Sequence, residues 1–376
     1  MLVSAQVGLS LVLVVGATLF SRSLAALNSV DLGFSGERLV AMDFDLEPSA
    51  APIDQLPALA REALARAEAA PGVVSAAMSN RAPVDQSTPS IQVRASWNPE
   101  AQVPDVTFYL ATARYFETVG VRVIAGRTFT ANEAESAAPV VIVNEALARQ
   151  LTGDVNVLDR SIFLDNETTP ARIVGVVNNS KYRSLSESSR PHVYRPTPAT
   201  LGLTLLARTN SEPRATLRVL QNVLDDVGPG LVGFFPRTFD DHLAIEYLPT
   251  RASAAAASAL GTLALSLSSV GLYALISWFV ALRRREIGIR MALGAGPRDV
   301  FRLVGREAIS TIVPGLMVGL LMCAGLGTLA RGALFGVGPL DFVAFIAGLA
   351  SIAIVVALAS YVPARHALRN SVISDQ

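Results

Sequence analysis

The sequence predicts an α-helical membrane protein with four transmembrane helices and an α/β extracytoplasmic domain inserted between helices one and two. Four charge-free stretches reach or exceed the roughly 20 residues that a helix needs to cross a bilayer. A long region with alternating strand and helix patterns separates the first two of them. The chain of 376 residues is 51% hydrophobic and 16% charged, which is low in charge for a soluble protein.

The bulk composition excludes several classes of function. The formal net charge is zero, so no global basic signal points to nucleic acid. Cys323 is the only cysteine and lies in an apolar run, which rules out an intrachain disulfide and a cysteine-based zinc cluster.

The spans set the domain boundaries. In order, we assign residues 1–21 to helix one, 22–250 to the outer domain, 251–282 to helix two, 283–306 to a cytoplasmic coupling elbow, 307–330 to helix three, 331–341 to a short outer loop, 342–364 to helix four and 365–376 to the tail. Buried core helices of a soluble protein rarely stay free of charge for this long, and four such stretches occur. Gly315 and Gly319 form a small-xxx-small pair, and Gly261 and Gly271 thin the second span, as in packed membrane helices.

Arginine counts predict the orientation, because basic residues favour the cytoplasmic side. The elbow carries Arg283, Arg284, Arg285, Arg290, Arg298, Arg302 and Arg306, whereas the short loop from Arg331 to Asp341 has one basic residue. We therefore expect a multi-pass protein of the bacterial inner membrane, with cytoplasmic termini and a periplasmic outer domain. A cleaved signal peptide ending near Ser23-Leu24-Ala25 is the alternative for span one, but no basic region precedes the apolar run.

The outer domain reads as a packed α/β region. The predicted strands are 39–46, 73–78, 106–111, 121–124, 140–143, 161–164, 172–177 and 201–207, and the predicted helices are 54–69, 114–119, 144–151 and 212–226. The polar, proline-bearing stretch 180–198 is predicted to be a loop joining two subdomains.

This region shows no pattern that predicts catalysis. His192 and His242 lack partners at metal-ligand spacing, and the carboxylate pairs 225–226 and 240–241 are typical of solvated surface. The stretch from Gly175 to Tyr182 faintly resembles a phosphate-binding loop. That loop needs a glycine before its lysine and Ser or Thr after it, and here Ser180 and Tyr182 flank Lys181. Because Lys181 is the only lysine, the chain has no Walker A motif, and we predict that it is not an enzyme.

The elbow combines charge with apolar residues. Residues 283–293 fit a helix that emerges from span two, Gly294 a helix stop, and Pro297 the first turn of a new helix. Topology anchoring explains the first arginines. It does not explain the apolar residues beyond the membrane edge, which need burial against lipid or a partner: Ile287, Ile289, Met291 and Leu293.

Several motifs, in order, carry a family resemblance. They are Gln6–Gly16, Pro71–Ser75, Ala113–Gly120 with Gly126-Arg127, Val141–Ala148, Ile173–Val177, Val270–Tyr273, Arg285–Ala295 (REIGIRMALGA), Leu334–Val337 and Tyr361–Arg365. Together they resemble the FtsX-like and MacB-like permeases of ABC systems, with a MacB-like periplasmic core domain. The resemblance is strongest to permeases that carry two such halves, and this chain, which starts abruptly in an apolar run, would be the second half.

The resemblance implies a mechanism and partners. The elbow would dock on a cytoplasmic ABC ATPase, whose motion passes through the helices to the periplasmic domain. By match to the motif, the coupling surface would be Arg285, Glu286, Ile287, Gly288, Arg290, Met291, Leu293, Gly294 and Ala295. The chain itself would hold no cofactor or metal, since ATP and magnesium would lie on the partner. The second permease half would come from upstream in the same chain, an identical copy or a paralogue, and membrane lipid would surround both.

Two other functions compete with this one. An ATPase-independent, membrane-anchored sensor or scaffold would use the outer domain to bind a ligand, and an outward-facing enzyme would need a site that the sequence does not show. The tail from Asn370 to Gln376 also departs from the Val-Asp-Pro-like ending frequent in the family. The substrate stays open among peptides, lipids, lipoproteins and small molecules.

Overall fold

In the computed structural model the chain divides into two compact units. One unit is Met1–Ser29 with Tyr247–Gln376, and the other is Val30–Glu246. The structure describes residues 2–46, 56–85, 87–182, 189–200, 202–227, 231–283, 285–286, 289, 297–329, 334–338 and 340–371.

The described residues form nine helices and eleven strands. The helices are α1 (Leu2–Asn28), α2 (Leu56–Ala69), α3 (Tyr115–Val119), α4 (Ala131–Glu135), α5 (Glu145–Thr152), α6 (Pro213–Val227), α7 (Phe239–Leu282), α8 (Pro297–Leu329) and α9 (Phe342–Ser371). The strands are β1 (Leu39–Leu46), β2 (Val73–Ser79), β3 (Ser90–Ala95), β4 (Gln102–Ala111), β5 (Val123–Gly126), β6 (Val140–Asn144), β7 (Ser161–Leu164), β8 (Ala171–Val177), β9 (His192–Pro196), β10 (Thr204–Thr209) and β11 (Leu231–Thr238).

The first unit holds four helices long and apolar enough to cross a membrane. The qualifying stretches are Leu2–Leu27, Tyr247–Leu282, Ile309–Leu329 and Phe342–Ala359. Helix two of the prediction is therefore part of a longer helix, because α7 begins at Phe239, twelve residues before the predicted start.

Helix α1 is the centre of this bundle, and glycines bring its neighbours close. A Cβ on Gly8 would lie 2.7 Å from the carbonyl oxygen of Gly315 on α8, and one on Gly319 would lie 2.9 Å from that of Gly8. A Cβ on Gly315 would clash with the carbonyl oxygen of Ser4. The small-xxx-small pair read from the sequence thus lies at the crossing of α1 and α8. We call these contacts the glycine seam.

The second unit contains a split β-α-β arrangement. Strands β11, β1, β10 and β2 lie side by side in that order with antiparallel neighbours. Helix α2 connects β1 to β2, and helix α6 connects β10 to β11. The chain therefore forms one β-α-β unit early and a second one later. Both helices pack on the sheet over one core that includes Met42, Leu205 and Leu224. We call this part the split sheet.

A small closed sheet is inserted between β2 and β10. Strands β4, β3, β7, β8, β6 and β9 pair in that order, and β9 returns to β4. The closed set has a separate core that includes Val106, Ile162 and Val176, covered on one side by Leu147 of α5. We call this part the barrel. Two subdomains were predicted, and the structure shows two separate cores.

The predicted joining loop at 180–198 is wrong in part. Strand β9 lies inside it and closes the barrel, pairing parallel with β4 and antiparallel with β6. Among the described residues the chain instead crosses between the subdomains through 80–85 and 87–89, and returns through 197–200 and 202–203. The stretch was predicted to be a loop because Pro191 and Pro196 lie at the ends of β9, and proline inside a sheet removes a backbone donor.

The prediction of simple alternating βα units also needs correction. Only the β4–β9 and β6–β8 pairs of the described sheet are parallel. Strands β3, β9 and β11 and the short helix α4 were not predicted. The other predicted strands and helices exist with ends shifted by a few residues. The predicted strand 121–124 begins two residues late, at Val123, and 201–207 begins at Thr204 among the described residues.

Candidate functional site

The predicted coupling surface follows α7. Its described part is short: Arg285 and Glu286 belong to the nine predicted residues, and Ile289 lies among them. The other seven predicted residues lie outside the described part of the chain: Ile287, Gly288, Arg290, Met291, Leu293, Gly294 and Ala295. The coupling surface therefore stays a prediction from sequence.

The last turn of α7 fastens the start of the elbow. The guanidinium of Arg283 lies 4.8 Å from the ring centre of Phe279. It also lies 3.9 Å from a carboxylate oxygen of Glu286, a weak surface ion pair because both side chains are more than 40% exposed. Ile289 is 56% exposed, so this apolar side chain needs lipid or a partner for burial.

The other end of α7 is built into the outer domain. The Thr238 hydroxyl accepts a hydrogen bond from the Asp241 N–H at 3.1 Å and donates one to the Asp241 carboxylate at 2.8 Å, which caps the helix. Phe239 is 1% exposed and packs edge-to-face on Phe34, with ring centres 5.3 Å apart. A Cβ on Gly36 would lie 2.6 Å from the Phe239 ring, so only glycine allows this approach.

His242, one turn into α7, contacts the crossing between the subdomains. Its Nε2 lies 2.9 Å from the carbonyl oxygen of Val84 and 3.0 Å from that of Pro83. Both partners are acceptors, so Nε2 carries the proton and donates to them. Burial, followed by the nearby Arg237 charge, lowers the pKa of His242 below its ordinary value and keeps the ring neutral.

Val84 is held in an unusual conformation at this contact. Its φ is 62°, in the left-handed region that a β-branched residue avoids, and its side chain is fully buried. Such a conformation persists only where its surroundings hold it. The next residue continues the connection, because the Asp85 N–H donates to the Tyr182 carbonyl at 2.9 Å.

A buried aromatic cluster lies behind this crossing. The rings of Tyr109, Tyr115, Tyr182 and Tyr194 are all fully buried. The Tyr115 hydroxyl donates to that of Tyr182 at 3.2 Å, and the Thr88 and Tyr109 hydroxyls are 3.1 Å apart. Burial raises the pKa of Tyr115 and Tyr182 well above their ordinary range, so these phenols stay neutral and act as packing groups with a polar edge.

His192 shows why a buried histidine need not be a metal site. It is fully buried, and neither ring nitrogen has a hydrogen-bond partner among the described residues. Burial lowers its pKa to about 3. Among the described residues no group of three or more His, Cys, Asp or Glu side chains could hold a metal ion. The four carboxylates at 225–226 and 240–241 are exposed, as expected for surface residues.

Sequence reasoning found the elbow but missed the base of α7. His242 was considered only as a metal ligand, whereas the structure shows it as a contact between a helix and a strained loop. One signal was available, since Thr238-x-x-Asp241 is a capping pattern that marks a helix start twelve residues before the apolar run.

Comparison with known families decides the assignment. The model of the MacB-like periplasmic core domain matches residues 7–234, and that of the FtsX-like permease C-terminal region matches residues 258–372. The chain belongs to the FtsX-like and MacB-like permeases of ABC systems. The predicted family and fold class, four membrane helices with an α/β domain after the first, are thereby confirmed for this permease.

Curated relatives of this permease are longer proteins. A macrolide export ATP-binding/permease protein MacB of Agrobacterium fabrum is 26% identical over 269 residues, which is 67% of this chain and 40% of the relative. A probable export ATP-binding/permease protein of Pseudomonas fluorescens is 25% identical over 225 residues, 57% of this chain and 34% of the relative. The chain thus spans well under half of these relatives, whose names also include an ATP-binding function.

Solved outer domains of such proteins are similar to part of this permease. The periplasmic region of MacB from Actinobacillus actinomycetemcomitans has a TM-score of 0.40 and 13% identity, covering 57% of this chain and 94% of that one. The extracellular domain of the transporter YknZ from Gram-positive bacteria has a TM-score of 0.37 and 17% identity, covering 52% and 100%.

Proposed function

We propose that this permease is a non-catalytic subunit or half of an ATP-driven export or mechanotransmission system. In this proposal a cytoplasmic ABC ATPase, which holds ATP and magnesium, moves the elbow after α7, and the movement passes to the periplasmic outer domain. A second permease half, from the same chain, an identical copy or a paralogue, completes the unit.

The length of α7 is the observation that carries the proposal. The helix has 44 residues from Phe239 to Leu282. At about 1.5 Å per residue it is about 66 Å long, roughly twice the hydrocarbon thickness of a bilayer. One end is capped and buried in the outer domain at Thr238 and Phe239, and the other leads directly into the elbow. A continuous helix of this kind can transmit a displacement of its elbow.

The orientation is part of the same proposal. Because basic residues favour the cytoplasmic side, the arginines of the elbow support a proposal in which both termini of this segment are cytoplasmic and the outer domain is periplasmic, across the bacterial inner membrane. Arg22, near the C-terminal end of α1, supports a membrane boundary at that end of the helix. Its guanidinium lies 3.3 Å from the Asp341 carboxylate at the start of α9, so the short loop is fastened to the first span.

Two acidic substitutions in the elbow test whether the ATPase docks there. Ile287 and Met291 are four residues apart and would share one face of the helix predicted from the sequence, so Ile287→Asp with Met291→Asp places two charges on the proposed docking face. The full chain is co-expressed with a candidate ABC ATPase from the same genome and purified through a tag on the permease. We expect the ATPase to be lost from the double variant.

Ile289→Asp is the matched control, because Ile289 lies about 200° around the helix from Ile287. We expect this variant to retain the ATPase. Full retention by the double variant would refute docking through the elbow. A gene neighbourhood without any ATPase, together with an outer domain that does not respond to nucleotide, would favour the sensor or scaffold instead.

A further inference from the structure

The base of α7 holds a contact whose role goes beyond anchoring the helix. The chain leaves the split sheet for the barrel through residues 80–85 and 87–89, and His242 of α7 binds this crossing at Pro83 and Val84. A movement of the first turns of α7 therefore acts directly on one of the segments that join the two subdomains, beside the β2–β4 pairing of Ser79 with Ala111.

We propose that His242 is a positioning residue that fixes the orientation of the barrel relative to the split sheet. Its role in transmission rests on the proposed function, since it would make the barrel follow α7. The geometry itself is independent of any ATPase.

The donor geometry supports a specific latch. One N–H is shared between two successive carbonyls at 2.9 and 3.0 Å, so the ring constrains both peptide units of the crossing. The Phe239 ring, 5.6 Å from that of His242, fixes the imidazole from the side of the helix. Phe239 is itself held by Phe34, in the segment that precedes β1.

Val84 shows that the crossing is under constraint. A buried valine at φ 62° would relax toward negative φ if nothing held it. The carbonyl that His242 binds belongs to this residue, so the bond stabilises the strained peptide directly.

The barrel side of the crossing is fastened to the aromatic cluster. Asp85 donates through its N–H to the Tyr182 carbonyl at 2.9 Å, and its own carbonyl accepts from the Thr88 hydroxyl at 2.7 Å. Thr88 in turn contacts the Tyr109 hydroxyl on β4. A chain of direct contacts thus runs from His242 through the crossing to the barrel.

Pro249 gives the latch a mechanical reason. It lies inside α7 and lacks an N–H, so the helix loses one backbone hydrogen bond seven residues after His242. Helices bend readily at such a position. Because His242 lies on the outer-domain side of Pro249, its bond lets the barrel follow the first turns of α7 whatever angle the helix takes at the proline.

Distance measurements between the subdomains test the latch in the full chain. Cys323→Ala removes the only cysteine, and Glu100→Cys with Arg218→Cys places spin labels on exposed positions of the β3–β4 turn and of α6. The chain is studied in lipid nanodiscs without any ATPase. His242→Leu keeps an apolar ring-sized volume but loses the donor, whereas His242→Gln keeps an N–H donor.

We expect a narrow distance distribution in the parent chain and in His242→Gln, and one roughly twofold wider in His242→Leu. His242→Ala, which also removes the donor, should widen it as well and serves if His242→Leu does not fold. Ile245→Gln, at a 65% exposed position on the same helix, should leave it unchanged.

Two results would overturn the proposal. One is an unchanged distribution in both folded His242→Leu and folded His242→Ala. The other is His242→Gln behaving as His242→Leu, which would show that ring packing rather than the hydrogen bond matters. Because no ATPase is present, these outcomes are separate from the elbow test, and loss of ATPase docking would leave the latch intact while removing its role in transmission.

Discussion

The outer domain (Val30–Glu246) and the unit that holds the four apolar helices, called the membrane unit (Met1–Ser29 with Tyr247–Gln376), are packed by different means. The outer domain buries large side chains, including four tyrosines, and fully buried Asn144 makes four hydrogen bonds. The membrane unit brings backbones together at the glycine seam, where small side chains meet, and Ser10 bonds Ser268 at 2.8 Å. Burying large apolar groups is favourable only relative to water, so helices in lipid gain instead from close van der Waals contact.

The largest effect is expected at Asn144. Its Oδ1 accepts from the N–H of Leu147 at 3.0 Å and of His192 at 2.8 Å, and its Nδ2 donates to the Arg190 carbonyl at 2.7 Å and to Asn179 at 2.9 Å. Asn144→Ala removes the side chain that binds the N–H groups of Leu147 and His192 and the Arg190 carbonyl, and with it the cap of α5. We expect the outer domain to lose about 4 kcal/mol of stability.

Tryptophan fluorescence measures this loss in one unit. The chain has two tryptophans, and with Trp278→Phe the remaining Trp97 reports on the barrel. Asn132→Ala, at an exposed helix position, is the control and should change stability by less than about 0.5 kcal/mol. A loss below about 1 kcal/mol for Asn144→Ala would mean that water replaces the missing amide and that the core is less closed than the structure shows.

A smaller effect is expected at the glycine seam. One methyl group at Gly315→Ala would meet the Ser4 carbonyl of α1, and overpacking of this kind costs about 2 kcal/mol. Cys323 is 4% exposed in the bundle and is the only cysteine, so its reaction with a maleimide on heating reports opening of the membrane unit. We expect Cys323 of the Gly315→Ala variant to become labelled at a lower temperature than Cys323 of the parent chain.

Gly325→Ala is the matched control on the same helix, since nothing lies within 4 Å of its added methyl group. It should label as the parent chain does. Equal labelling of the two variants would show that α1 and α8 are not in close contact at Gly315, and the contrast between the two units would lose its basis.

The contrast also explains what the sequence could predict. A bilayer imposes length and apolarity on each span, so the four spans and the pair Gly315 and Gly319 can be recognised from the sequence alone. The elbow was equally visible as a cluster of charge. Its docking role came from family resemblance, and most of its residues lie outside the described part of the chain.

The fold of the outer domain is harder to predict from the sequence because its contacts join residues that are far apart in the chain. Strand β1 was predicted with the observed ends because apolar and polar residues alternate along it. Strand β9 is held by pairing with β4, more than 80 residues away, and prolines mask it. The contact between His242 and Val84 depends on a backbone conformation that no residue pattern encodes, since valine is a poor choice at positive φ.

The third effect, of the same size as that at the glycine seam, is a pH dependence that separates the units. His192 has a folded-state pKa of about 3 against an ordinary value of 6.5, so the unfolded chain binds the proton more tightly. Its contribution to stability is complete above about pH 6.5 and is lost progressively as the pH falls toward 3. At pH 5 the loss from this residue is about 2 kcal/mol.

His192→Leu should flatten this dependence in denaturation curves followed through Trp97. A slope between pH 7 and pH 5 would remain from His242, whose pKa is also lowered, whereas carboxylates such as Glu133, with a pKa of about 2, act only at lower pH. Labelling of Cys323 should not respond to this substitution, because His192 lies in the outer domain. An equal slope in the parent chain and in His192→Leu would show that the folded barrel accepts a proton at His192, which requires a water or an acceptor at its ring nitrogens.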